Sequence, residues 1–172
     1  MIELLRLRRS VRKFKKTTIE REKIELLIEA LLRSPTSRNR KSWEFILVSD
    51  TNLLEKLSKS KQQGSDFLAN ALLGIVICGD EEKTDVWIED CSIASIIVQL
   101  TAQSLGLGSC WIQIRNRKHN NFKSSEKYIQ ELLNISQNFR VESIIAIGYP
   151  AEQKSGIPAS DLDRLKIHEN FF

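Results

Sequence analysis

The sequence contains little of what several enzyme classes require. Only two histidines, His119 and His168, occur in 172 residues. Neither is accompanied by a pair of cysteines, so the sequence predicts no zinc site of the usual Cys/His composition. No Gly-x-Ser-x-Gly segment occurs, which excludes the nucleophile elbow of an α/β-hydrolase. A dinucleotide fingerprint is also absent, because Trp111 stands where the third glycine after Gly106 and Gly108 would fall.

The cysteines and the apolar runs also limit the classes of protein that the sequence can represent. Cys78, Cys91 and Cys110 show no paired spacing, and two of them lie within apolar runs, so we predict reduced core thiols. The most apolar stretch, residues 93–107, is too short to span a bilayer. Charges interrupt the N-terminal leucines, and no small-residue cleavage site follows them. The sequence therefore predicts a cytoplasmic protein that does not bind a membrane.

The bulk composition is that of an ordinary soluble protein, with 41% hydrophobic and 28% charged residues. A chain of this length suits one domain that buries roughly 70% of its extended surface. No internal repeat, low-complexity tract or linker divides it. We therefore expect a single domain over residues 1–172.

Hydrophobic periodicity predicts four helices that alternate with four strands. Thr17 and Glu20 fit a capping box at the start of the first helix, and Pro35 follows its end. Such interleaving supports a layered domain of sheet and helices, although spacing alone leaves the strand order open. The predicted helices cover about residues 18–31, 52–61, 86–105 and 124–133, and the predicted strands cover residues 45–48, 72–78, 109–114 and 141–149.

Two segments are expected to meet another surface. The predicted helix at residues 86–105 is apolar on most faces, so protein must enclose it, and its spare face is expected to meet a second subunit. Residues 150–172 have two prolines, little periodicity and a terminal Phe171-Phe172. A tail of this kind either frays or lies across another surface.

Positive charge is concentrated at the N-terminus, although the net charge of the chain is only +4. Arg8, Arg9 and Arg12 flank Ser10 within five positions. Guanidinium groups bind phosphate bidentately and a serine hydroxyl adds a donor, so this run could hold a phosphorylated ligand. A solvated basic face and a nucleic-acid patch are the alternatives. No interleaved aromatic residues or recognition motif support the nucleic-acid alternative.

Four segments in order resemble the signatures of the FMN-dependent nitroreductase family, as found in a small member. The first is Arg8-Arg9-Ser10-x-Arg12-x-Phe14, and the second is Pro35-Thr36-Ser37-x-Asn39-x-x-x-Trp43. The third, at residues 105–112, reads LGLGSCWI, and the fourth, at residues 144–152, reads IIAIGYPAE. From the first to the last, they span most of the chain, from residue 8 to residue 152.

The first segment's resemblance implies that it wraps the flavin. Arg8 and Ser10, with Arg9 between them, would hold the phosphate and the ribityl chain. Arg12 would lie near the pyrimidine edge, where a cation favours the negative charge of reduced flavin. Beyond the fourth segment, Lys154 is the nearest candidate for a second cation on the phosphate. Its alternative is a solvated surface lysine, which is the usual fate of such a residue in a turn.

The resemblance also implies contacts from a second subunit. In the family, the loop that contains Pro35, Thr36, Ser37 and Asn39 reaches the FMN of the other subunit. Gln and Pro are usual where this chain has Lys41-Ser42, so we expect a less rigid loop here.

In the third segment, the two glycines permit a tight reversal and a close approach of the backbone. By resemblance, Trp111, Ile112, Gln113 and Ile114 would line one flat side of the flavin ring. Backbone N–H groups of Gln113 and Ile114 would face N5. The following polar loop, residues 115–121, is expected to be solvated, and it could also contact an anionic nicotinamide nucleotide.

The implied fold is α+β, with a mixed β-sheet flanked by helices on both sides in a domain-exchanged homodimer. Two FMN molecules would lie at the subunit interface. The implied activity is ping-pong hydride transfer from NAD(P)H through flavin N5 to a nitroaromatic or quinone acceptor, with NAD(P)H as a visiting substrate. Dehalogenation, flavin breakdown and peptide-azoline dehydrogenation are same-fold alternatives. Because the flavin carries the chemistry, no general acid or base is expected in the chain.

Overall fold

The computed structural model describes residues 1–172 and contains five α-helices and four β-strands. All eight predicted elements are present, with ends that differ from the prediction by a few residues. The first helix was not predicted, because it is only six residues long and its leucines alternate with charged residues. In chain order the elements are α1 (Ile2–Leu7), α2 (Arg21–Leu32), β1 (Trp43–Val48), α3 (Thr51–Ser58), β2 (Leu73–Asp80), α4 (Trp87–Ser104), β3 (Gly108–Gln113), α5 (Ser125–Leu133) and β4 (Phe139–Gly148).

The four strands form one sheet in the order β1-β2-β4-β3, and every neighbouring pair is antiparallel. The α+β class is therefore confirmed, but the expected mixed sheet is corrected. Strands β2 and β3, joined through α4, do run in the same direction, yet β4 lies between them. The only parallel pairing is an isolated bridge between Ser10 and Ser109.

Helices cover both faces of the sheet, as predicted. Strand β2 is buried along its whole length, so its alternate side chains enter two different cores. Val76 and Cys78 pack on the face covered by α3 and α5. Ile75 and Ile77 pack on the face covered by α2 and α4.

The start of α2 differs from the predicted capping box. The helix begins at Arg21, and Glu20 is its N-cap residue without a side-chain cap hydrogen bond. The Glu20 carboxylate instead accepts a hydrogen bond of 2.5 Å from the Tyr149 hydroxyl. Lys23 Nζ donates to the same hydroxyl at 2.6 Å. A contact with the residue after β4 has therefore replaced the local cap.

Two apolar surfaces remain open in the single chain. On α4, Ile93 and Ile96 are each 38% exposed, although most of the helix is buried. Most of the chain beyond residue 150 is exposed. Exposed apolar side chains of the tail are Ile157, Leu162, Leu165, Ile167, Phe171 and Phe172.

None of the helices has the length and apolar content needed to cross a membrane.

A buried carboxylate occupies a bulge in β4. The register with β2 passes from Ile77–Ser143 to Cys78–Val141, which leaves Glu142 without a partner in β2. Glu142 is only 2% exposed. Its carboxylate accepts hydrogen bonds from Ser92 Oγ at 2.7 Å and from Ser143 Oγ at 3.1 Å. Burial raises the pKa of Glu142, and these two hydroxyls oppose the rise only partly.

This burial predicts a pH-dependent cost to stability. The folded state holds the Glu142 proton more tightly than the unfolded chain, so the stability falls as the pH rises from the ordinary glutamate pKa through the raised one. Glu142→Gln removes this loss. We expect the free energy of unfolding of the wild type, relative to Glu142→Gln, to be lower at pH 8 than at pH 4.5, as measured by urea denaturation.

Glu131→Gln is the matched control, because Lys123 lowers the pKa of the exposed Glu131. Its loss should therefore change the pH dependence in the opposite sense. Equal pH profiles for the wild type and Glu142→Gln would contradict the assignment.

Candidate functional site

The N-terminal basic segment, residues 8–14, is held against the end of the sheet. The Val11 N–H donates to Ser109 O at 2.9 Å, and the Lys15 N–H donates to Tyr149 O at 2.8 Å. Val11 and Phe14 are buried in the core between the sheet and α3 and α5. Because these two apolar residues face inward, the charged residues between them lie at the surface.

The two glycines at the start of β3, Gly106 just before the strand and Gly108 as its first residue, have the roles that the sequence predicted. Gly106 has φ of 75°, which is the left-handed conformation that glycine adopts without strain. At Gly108, an added Cβ would lie 2.9 Å from Val11 Cβ. A side chain at residue 108 would therefore push the basic segment away from β3.

Cationic groups from both ends of the chain converge on β3. Burial raises the pKa of the Cys110 thiol, while the charge of Arg12, a hydrogen bond with Ser10 and the charges of Lys154 and Arg8 oppose this rise. Neither Arg8 nor Arg12 forms an ion pair with a carboxylate. Four predicted site residues thus lie together, and two of their cations have no protein counter-ion. This donor set fits an anionic ligand.

The start of the tail closes over the basic segment. Lys154 Nζ donates to Ser10 O at 2.7 Å and lies 3.1 Å from Glu152 Oε1. Arg9 Nη1 donates to Ser155 O. The solvated alternative for Lys154 is therefore wrong, because only 28% of its side chain is exposed.

Glu152 is a site residue that the sequence analysis missed. Its carboxylate accepts hydrogen bonds from the Arg12 N–H at 2.6 Å and from the Lys13 N–H at 3.2 Å. These backbone donors, Arg12 first, lower the pKa of Glu152. The signal in the sequence was an acidic residue four positions after the last strand, which could accept hydrogen bonds from the basic segment.

Strand β3 is an edge strand, and part of its outer edge is open. Ser109 O and Gln113 O both point outward, since they accept hydrogen bonds from Val11 N and from Lys61 Nζ at 3.5 Å. Backbone groups alternate along a strand, so the N–H groups of Trp111 and Gln113 point to this same edge. A flat ligand beside β3 would meet them.

The two isoleucines of this segment do not line the edge. The Ile114 N–H donates to Glu142 O at 3.1 Å, inside the sheet, so it is not available to a ligand. Ile112 and Ile114 are 1% and 0% exposed and belong to the core. The predictions for Ile112 and Ile114 are therefore corrected, because their backbone and side chains both face inward.

The remaining two residues of the predicted flavin-facing segment form an ordered surface. Trp111 Nε1 donates to Gln113 Oε1 at 3.0 Å, and Gln113 Nε2 donates to Arg115 O at 3.1 Å. The Gln113 side chain is thus engaged by its neighbours, which leaves its backbone N–H as the group that points to the edge.

The loop of Pro35, Thr36, Ser37 and Asn39 is fixed by a residue that the sequence analysis did not identify. Asp90, at the start of α4, is 2% exposed. Its carboxylate accepts from the Ser37 N–H and from Ser42 Oγ, both at 2.8 Å. The expected loss of rigidity is therefore wrong at Ser42, whose hydroxyl ties the loop to α4.

This loop forms no hydrogen bond with the basic segment of its own chain. Thr36 Oγ1 accepts from the Lys41 N–H at 3.0 Å, and Arg40 Nη1 donates to Lys83 O at 3.0 Å. Pro35 and Asn39 are exposed. The predicted contact of these residues with a flavin of another subunit stays a prediction.

The hollows of the surface differ in charge. A hollow of about 610 Å³ is lined by Arg12, Lys13 and Lys16, and one of about 380 Å³ by Arg9 and Lys154. Both border the basic segment. A hollow of about 760 Å³ along α2 is lined by three glutamates and one arginine, so its net negative charge would repel an anion. The chemistry therefore favours the smaller hollows.

Comparison with known proteins agrees with this geometry. The sequence profile described as the nitroreductase family matches residues 5–149. A protein of Archaeoglobus fulgidus, whose name assigns it to the NADH dehydrogenases/NAD(P)H nitroreductases, is 34% identical over 164 residues, which cover 93% of this chain and 91% of that protein. The chain belongs to the nitroreductase family.

Solved structures are similar over the whole chain. An FMN-dependent nitroreductase from Clostridium difficile R20291 superposes with a TM-score of 0.98 at 48% identity, and each chain is covered completely. The NADPH:FMN oxidoreductase of Vibrio harveyi, solved in complex with NAD⁺, has a TM-score of 0.85 at 24% identity, covering 99% of this chain and 77% of that one. The second likeness concerns the fold alone. The predicted nitroreductase-like fold is confirmed.

The role of Asp90 can be tested through stability. Asp90→Ala leaves the Ser37 N–H and the Ser42 hydroxyl without their buried acceptor, which we expect to lower the free energy of unfolding by about 2–4 kcal/mol. Urea denaturation measures this loss. Glu89→Ala removes a carboxylate from the adjacent exposed position and should cost much less. Equal losses for the two variants would show that Asp90 does not tether the loop.

Proposed function

We propose that this chain is an FMN-dependent NAD(P)H oxidoreductase that reduces nitroaromatic or quinone-type acceptors. The observation that carries the proposal is the pairing of the basic segment with Ser109 of β3, which brings Arg8, Ser10 and Arg12 beside Lys154. An anionic flavin mononucleotide matches this set of donors. The names of the similar proteins add FMN and NAD(P)H.

The residues divide between the two ends of the cofactor. Arg8, Arg9, Ser10 and Lys154 would hold the phosphate and the ribityl chain through charge-assisted hydrogen bonds. The Arg12 guanidinium, which lies 5.7 Å from the centre of the Phe67 ring, would face the pyrimidine edge of the flavin. The outward N–H groups of Trp111 and Gln113 would meet the flavin along β3.

When bound, FMN would supply the two-electron chemistry that links NAD(P)H to an acceptor in ping-pong order, with N5 as its hydride-accepting atom. The protein's part is to orient the ring, exclude water and bias the local charge. Arg12 contributes positive charge where reduced flavin is negative. The Glu152 carboxylate fixes the backbone that carries Arg12, so this charge has a defined position.

The site is completed by a second copy of the chain. In one chain, the loop of Pro35, Thr36, Ser37 and Asn39 forms hydrogen bonds only with neighbouring parts of that chain. In the dimer it would supply hydrogen bonds to the flavin of the partner subunit. Ile93 and Ile96 on α4 and the apolar side chains of the tail are exposed in one chain. A homodimer with exchanged tails would bury them.

The whole chain acts as one nitroreductase domain in this proposal, since residues 8–14 and 152–155 form one site. A cytoplasmic location fits the three cysteines, which are all free and buried.

Flavin binding tests the role of Arg8. Arg8→Ala should raise the Kd for FMN by about tenfold or more, because one charge-assisted phosphate contact is lost. Fluorescence titration of the flavin-free protein measures the Kd. Arg6→Ala is the matched control, since Arg6 pairs with Glu3 on the exposed side of α1. An unchanged Kd in Arg8→Ala would remove Arg8 from the site.

The oligomeric state tests the second copy. The wild type should have twice the 19.8 kDa mass of the chain by light scattering. Ile93→Glu combined with Ile96→Glu places two charges on the exposed face of α4, so it should give monomers that lose FMN. Phe122→Glu changes a side chain that is 98% exposed elsewhere and should leave both properties intact. A monomeric wild type with full FMN occupancy would overturn the shared site.

A further inference from the structure

A second group of cations lies beside β3, outside the residues predicted to hold the flavin. Lys61, Gln62 and Gln63 follow α3, and Arg117 and Lys118 follow β3. Together they line a cleft of about 340 Å³ without any hydrophobic side chain. We refer to these five residues as the basic cleft.

The cations of the basic cleft have no counter-ions. Lys61, Arg117 and Lys118 form no ion pair, whereas nearby Lys59 pairs with Glu55 at 3.0 Å and Lys123 pairs with Glu131 at 2.6 Å. Burial, followed by the charge of Arg117, lowers the pKa of Lys61. An anion in the cleft would relieve this repulsion, because opposite charge favours the protonated lysine.

Hydrogen bonds join the two walls of the basic cleft. The Gln62 N–H donates to Lys118 O at 3.3 Å, and His119 Nδ1 lies 2.8 Å from Lys59 O. The His119 ring also stacks on Tyr128, with 4.1 Å between centroids. The polar loop around His119 is mostly exposed, as expected, but the His119 ring is held between Lys59 and Tyr128. A cleft held in this way needs little reorganisation when a ligand binds.

The basic cleft begins beside Gln113, next to the part of β3 where the hydride donor would bind. Lys61 Nζ reaches Gln113 O at 3.5 Å, and the Arg117 N–H donates to Ile114 O at 3.0 Å. A nicotinamide ring that reaches a flavin beside Gln113 would therefore lie next to Lys61. In a nicotinamide dinucleotide, the phosphates nearest to that ring are those of the diphosphate bridge.

We propose that the basic cleft binds the diphosphate bridge of NADH and NADPH while the nicotinamide lies at the edge of β3. This inference rests on the proposed function. It assigns Lys61, Arg117 and Lys118 to the electron donor and leaves the cations of the basic segment to the flavin. Phosphate in a fixed cleft with three unpaired cations forms charge-assisted contacts, which are stronger than contacts between neutral groups.

Steady-state kinetics of the FMN-loaded protein test the inference. The donors are NADPH, NADH and N-benzyl-1,4-dihydronicotinamide, which carries no phosphate. In Lys61→Gln and in Lys118→Gln, the KM for either dinucleotide relative to the KM for the benzyl compound should rise about tenfold, the effect of one lost charge-assisted contact. Lys59→Gln removes a neighbouring but paired charge and should leave the ratio within about twofold.

The kinetic outcomes distinguish the possibilities. An equal rise for both dinucleotides supports a site for the diphosphate that they share. A rise for NADPH alone would overturn the proposal, because the cleft would then bind the 2′-phosphate. An equal change with the benzyl compound would also overturn it, since the lysines would then act on the flavin or the fold.

Calorimetric titration with ADP-ribose, which has the diphosphate but lacks nicotinamide, gives a readout that does not depend on activity. The wild type should bind it, and each lysine variant should bind about tenfold more weakly. Absence of binding to the wild type would overturn the inference. If the loaded protein oxidises no nicotinamide at all, the proposed function fails, while ADP-ribose binding that depends on Lys61 and Lys118 would still support a diphosphate site.

Discussion

The close approach of the basic segment to β3 is the constraint on which the site depends. It requires Gly108, because a side chain there would meet Val11. It also requires that Val11 and Phe14 be buried, since their burial leaves Arg12, which lies between them, at the surface. The hydrogen bond between Val11 and Ser109 and the carboxylate of Glu152 then fix the backbone on both sides. The packing of Val11 and Phe14 thus holds the cations of the basic segment in place, although their like charges repel one another.

The side chains proposed to bind the flavin and the electron donor lie along one strand, β3. Arg8, Arg12 and Lys154 lie toward its beginning, and Lys61 contacts its last residue, Gln113. Six residues of strand extend over about 20 Å. The cations proposed for the flavin phosphate and those proposed for the electron donor's diphosphate therefore lie toward opposite ends of β3, and neither nucleotide needs a Rossmann crevice.

Much of this arrangement could be predicted from the sequence. Periodicity located the eight elements, and the four family segments located the basic segment and Lys154. Local patterns could not show that β4 inserts between β2 and β3, because strand order depends on contacts that are distant in sequence. The same limit explains Ile114, whose N–H is used by Glu142, and Asp90, whose carboxylate serves a loop more than 40 residues earlier in the chain. Glu20 was assigned to a cap for this reason too, although its partner is Tyr149.

The hydrogen bond between Lys154 and Ser10 also constrains the order of events during biosynthesis. The basic segment leaves the ribosome first, and Lys154 follows 144 residues after Ser10. At an elongation rate of about 5–20 residues per second, the nascent basic segment waits on the order of ten seconds for that partner. In the proposed site, tight binding of the cofactor would therefore follow synthesis of nearly the whole polypeptide, and a chain truncated shortly before Lys154 would have the arginines without the hydrogen bond from Lys154 to Ser10.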